Sequence, residues 1–163
     1  MKRAIILALL PVAAWADGFA QKDLSAIKVD ANVFAGGSYA VRSETGSLTI
    51  ACTTCDDLTA IAVQLGRSTD GTEGRFRSGE TTIAQMEALC RQRDPDCTLT
   101  RAEVGEAVGW VTQYELGPTQ GSTAVLFLDG DMLTIRSLSD SRNRTGANMA
   151  AALDTLAPRI IGP

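Results

Sequence analysis

Apolar residues recur at every second position over several stretches of this chain and at helical spacing over two others. Leu48, Ile50 and Cys52 alternate with Thr49, Ala51 and Thr53, so Ser47–Thr53 reads as a strand with two distinct faces. Ser38–Ser43 reads as its partner, joined through Glu44-Thr45-Gly46. Leu58–Gly66 puts Ile61, Val63 and Leu65 on one side and reads as a third strand; Leu58, Ile61 and Leu65 also fit a helical period, so a helix is the alternative. Gly, Ser, Thr and charge dominate Arg67–Gly79, which reads as an exposed loop.

A helix is predicted over about 81–92. Thr82 and Gln85 form a capping-box pattern, and Ile83, Met86, Leu89 and Cys90 form the apolar stripe. A strand over about 106–116 carries Val108, Trp110, Tyr114 and Leu116 on one face, and Gly117-Pro118 ends it. Thr123–Leu128 and Met132–Leu138 flank Asp129-Gly130, a two-residue hairpin signal. A last helix over about 145–157, capped by Thr145 or Asn143, turns Met149, Ala152, Leu153 and Leu156 inward before Pro158 stops it.

The expected fold class is therefore α+β, an antiparallel sheet of five to six strands with two helices packed on one face. The order of elements over about 45–160 resembles that of PsbP-like α+β domains, which also end with a hairpin and a packing helix. That resemblance rests on element order and carries no functional residue across.

The first residues follow a different pattern. Lys2 and Arg3 precede eleven uncharged residues, Ala4 to Ala14, and Ala14-Trp15-Ala16 fits a small-x-small cleavage site. The apolar run is shorter than the roughly 20 residues of a spanning helix. Residues 1–16 are thus expected to be a signal peptide, cut after Ala16, with the rest working in the periplasm or outside the cell. Residues 17–37 read as a loosely ordered lead-in, and 38–163 as one domain.

Composition narrows the chemistry. The chain carries 15 basic and 19 acidic side chains; without Lys2 and Arg3 the balance is 13 against 19, a net −6. Such a domain repels phosphate backbones, so nucleic acid is not an expected partner, and no membrane span is expected after residue 16. The chain has no His. Serine and cysteine mechanisms with a histidine base, and imidazole metal sites, lose their central group. No cofactor or metal site is expected.

Four cysteines in an exported chain read first as disulfides. The favoured pairing is local, Cys52 with Cys55 and Cys90 with Cys97, although four cysteines allow three connectivities. Cys52-Thr53-Thr54-Cys55 has the spacing of a redox dithiol, yet Asp56 and Asp57 follow at once and oppose a thiolate. Arg136, Arg142 and Arg144 put positive charge near the start of the last helix, a candidate anion site. Trp110 and Tyr114 share a strand face and could form a ligand platform. Ser25-Ala26-Ile27-Lys28 matches the S-x-x-K spacing of penicillin-binding serine enzymes but lacks their K-T-G element. Glu103, Glu106 and Glu115 are the carboxylates open to a hydrolytic reading. The expected function is a non-enzymatic domain that binds an envelope protein or a small ligand or supports an envelope assembly; a thiol–disulfide oxidoreductase or redox sensor using Cys52 and Cys55 is the alternative.

Overall fold

The computed structural model describes residues 18–163. The expected signal peptide, 1–16, lies outside the described residues. Seven strands form one sheet: β1 (Tyr39–Ser43), β2 (Ser47–Cys52), β3 (Ala60–Arg67), β4 (Thr98–Val104), β5 (Ala107–Leu116), β6 (Thr119–Leu128) and β7 (Asp131–Ser139). Their spatial order is β1-β2-β3-β7-β6-β5-β4, and every neighbouring pair is antiparallel. The helices are α1 (Thr72–Ser78), α2 (Ile83–Arg91), α3 (Arg142–Thr155) and a short α4 (Ala157–Ile161). No helix among the described residues is long and apolar enough to cross a membrane.

Local chemistry accounts for several of these elements. Residues 60–67 are a strand, not a helix. Asp129 and Gly130 both take positive φ, 50° and 81°, as the tight β6–β7 hairpin demands. The Thr82–Gln85 capping box starts α2. Ser141, rather than Thr145 or Asn143, caps α3 by accepting the Arg144 N–H. Pro158 sits in the first turn of α4, where its missing N–H costs nothing.

The expected sheet of five to six strands with two helices on one face is corrected in three respects. A seventh strand, β4, lies at the sheet edge. The presumed loop after residue 67 contains α1, held between Gly71 and Gly79, both left-handed. The helices also divide between the two sides. Leu48, Ile50, Ile61, Val63, Leu126, Leu133 and Ile135 pack with Met149, Ala152 and Leu156 of α3 and with Ile160 and Ile161 of α4 in the main core. On the opposite side, α1 inserts Phe76 against Trp110, whose ring also meets Phe127 (centroids 5.3 and 5.5 Å). The second helix lies along the edge strand. Its Glu87 accepts the Leu99 N–H at 2.8 Å, and the Cys90–Cys97 disulfide ties its end to β4.

Residues 18–37 are not a loose lead-in. Phe19, Leu24, Ile27 and Phe34 are buried in the main core. Asp131, with 6% of its side chain exposed, anchors the start of this segment: it accepts the Phe19 N–H at 2.8 Å and pairs with Lys22 and with Arg67 (3.0 Å). Burying each Leu or Ile side chain stabilises by roughly 1.5–3 kcal/mol, so the α3 side of the sheet holds the fold together.

Candidate functional site

Strand alternation sends even-numbered residues of β5 and β7, and odd-numbered residues of β6, to the face away from α3. Register places Arg136 opposite Thr123, and Thr123 opposite Thr112. On the other flank Arg136 faces Ala62, which faces Thr49, which faces Arg42. Along β7 the residues turned toward α3 are buried, whereas Met132, Thr134 and Leu138 are half-exposed and Arg136 is exposed. Thr49 and Gln64 are exposed on the same side. From β1 to β6 this face is uncovered except where α1 closes one corner over Trp110 and Phe127.

Trp110, Tyr114 and Arg136, three of the residues singled out in the sequence, meet on this face. Tyr114 leans over β6 because position 121 is glycine; a Cβ there would stand 2.3 Å from the Tyr114 ring. The Tyr114 hydroxyl shares a hydrogen bond with the Thr123 hydroxyl at 3.1 Å. Thr123 adjoins Arg136 in the register, so two hydroxyls and a guanidinium occupy neighbouring positions.

Beside Tyr114 the face runs into a cleft of about 640 Å³, lined by Leu89, Cys90, Arg93, Asp94, Glu115 and Leu116 among others. Leu89 is 64% exposed and Leu116 62% exposed. This corrects the expected stripe on α2: Leu89 does not enter the core but borders the cleft. Leu89 and Leu116 both border one concavity, whereas Leu58, 66% exposed, lies outside its lining.

The electrostatics set Arg136 apart. Arg42 pairs with Glu44 at 2.8 Å and Arg101 with Glu103 at 2.7 Å, while Arg136 has no ion-pair or hydrogen-bond partner among the described residues. Arg142 and Arg144 do not join it. Arg142 reaches the Gln120 side chain at 3.5 Å and Glu115 at 3.8 Å. Arg144 pairs with Asp57 at 2.6 Å. Asp57 also accepts the Asp140 N–H, and that bond, opposed by burial and helped by the Asp140, Thr59 and Arg144 side chains, brings its carboxyl down to about 2. The expected anion site of three arginines is thus split, with two already engaged by acids.

Both local disulfides are present, Cys52–Cys55 and Cys90–Cys97. Cys52 ends β2, and Cys55 Sγ lies 3.3 Å from the Gly36 carbonyl oxygen. A carbonyl and two following aspartates surround this pair, and the nearby Arg144 is held by Asp57. Nothing there favours a thiolate. Cys90 contributes to the cleft wall. Of the remaining candidates, Ser25 lies in a single 3-10 turn whose N–H is held by Asp23, with Ile27 buried beside it. Glu103 is paired with Arg101, and Glu115 lies near Arg142 at the other end of β5.

Sequence reasoning missed the cleft, because its walls come from α2 and β5, 20 or more residues apart along the chain. The one signal available was Leu116, set between Glu115 and the Gly117-Pro118 turn; Leu89 fits the apolar stripe of α2 and gave none. Compared with known proteins, the chain matches no family model and no curated protein.

Proposed function

We propose that this chain is an exported, disulfide-stapled binding domain that receives a protein partner on the open face of its sheet. The supporting observation is that face: a cleft bordered by exposed Leu89 and Leu116, continuous through Tyr114 with a surface that carries Thr123, Thr134, Met132, Leu138 and Arg136. Aromatic and arginine side chains at such a site are the usual anchors of recognition. Two disulfides are compatible with an oxidising compartment.

The reading is tested by purifying the protein from its native compartment in three forms: unaltered, Leu89→Glu/Leu116→Glu, and Ala150→Glu on the solvent side of α3. A partner that co-purifies with the first and third forms and is lost from the second is the expected result. Equal recovery with all three would remove the open face from the account.

A further inference from the structure

Resting on the open-face reading, we infer that the partner segment is acidic as well as apolar: an extended stretch that seats an apolar side chain in the cleft and sets a carboxylate on Arg136. Charge supports this assignment. The protein as a whole is acidic, with 19 acidic against 15 basic side chains. On the open face, however, Arg42 and Arg101 are matched by Glu44 and Glu103, and the charge left over is the cation Arg136. Within the cleft Arg93 stands beside Asp94 and Glu115, so the cleft itself carries no excess positive charge and the place for a carboxylate is Arg136. An unpaired guanidinium offers a forked pair of donors suited to a carboxylate.

Geometry sets the spacing. Tyr114, Thr123 and Arg136 stand on β5, β6 and β7, three successive strands. Strands lie roughly 5 Å apart and residues along a strand rise about 3.4 Å each, so Arg136, level with Thr112, stands two strands across and four residues along from Leu116, about 17 Å in all. In an extended segment, side chains four residues apart point the same way roughly 13 Å apart. The Arg136 side chain spans the remainder. The pattern that fits is an apolar residue with Asp or Glu four positions away, facing the same side. The Tyr114 and Thr123 hydroxyls lie between the two anchors and can bond the segment's backbone.

The test uses fluorescein-labelled peptides of roughly ten residues. Their Leu, Phe and Ser content is identical, and the position four residues from the anchoring apolar side chain is Glu, Gln or Lys. Anisotropy is read against the mature protein and against Arg136→Gln, Arg136→Lys and Leu116→Glu. The expected result is that the Glu peptide binds at least about tenfold more tightly than the Gln peptide. Arg136→Gln erases that preference, Arg136→Lys keeps part of it, and Leu116→Glu weakens both peptides. Equal binding of the Glu and Gln peptides, both lost with Leu116→Glu, would overturn the acidic partner and leave the open face standing. If no peptide binds, or if binding ignores Leu116→Glu and Arg136→Gln alike, both the inference and the face reading fail.

Discussion

Two hydroxyls deep in the main core are out of keeping with their surroundings. Ser122 on β6 and Ser137 on β7 face one another across the strand pair, are fully buried, and have no hydrogen-bond partner among the described residues. A buried hydroxyl left unmatched costs roughly 1–3 kcal/mol. Replacing either by alanine removes that cost and hardly changes the volume, so Ser122→Ala and Ser137→Ala should each leave stability unchanged or raise it by up to about 1 kcal/mol in urea unfolding. A loss of more than about 1 kcal/mol would show that these hydroxyls are satisfied in solution. Asp131 is the opposite case. Burial alone would raise its pKa, but the Lys22 ammonium, the Phe19 N–H and Arg67 outweigh it and hold the carboxyl below its ordinary value. Because the folded pKa lies below the unfolded one, near 3.9, this group stabilises the fold above about pH 4, and the contribution fades as pH falls through the folded pKa. Asp131→Asn should cost about 2 kcal/mol near neutral pH, and the two proteins should converge in acid. A constant gap from pH 7 to pH 3 would contradict this account of the N-terminal anchor.

At the scale of elements, what was legible follows from strength of pattern. The β6–β7 hairpin and the capping box of α2 each rest on chemistry local to a few residues, and both stand where the sequence puts them. The first helix was not legible: Thr72–Ser78 offers one apolar residue, Phe76, and its ends are set by two glycines that read as loop. The edge strand β4 was missed because Arg101 and Glu103 occupy positions where a central strand would carry apolar side chains. Phe19, Leu24, Ile27 and Phe34 enter the core from irregular backbone, so no period marks them. Among the candidate site residues, Arg136, Trp110 and Tyr114 were visible as types, but only the register shows that they share a face. The disulfide that fastens α2 to β4 can be tested at this same scale. Closing so short a loop should stabilise by roughly 2–3 kcal/mol. Cys90→Ser/Cys97→Ser should therefore lower the thermal midpoint and, because Cys90 lines the cleft, weaken partner binding as well. Full retention of both would mean the bridge neither staples α2 nor shapes the cleft.

Across the whole molecule the two sides of the sheet divide the work. The side under α3 and α4 is filled with aliphatic side chains and carries the stability of the fold. The other side keeps Met132, Thr134, Arg136 and Leu138 of β7 near solvent, with a cleft at one flank. On the proposed reading, Leu89 and Leu116 become buried when a partner seats in the concavity between them. The most direct measurement is site-specific photocrosslinking in the native compartment. A photoreactive residue replaces Gln64 on the open face in one protein and Ala150 on the outer side of α3 in another, both positions being exposed. The account predicts a discrete adduct from position 64 that disappears when Leu89→Glu/Leu116→Glu is added, and none from position 150. An adduct from position 150 alone, or one from position 64 that survives those substitutions, would contradict it.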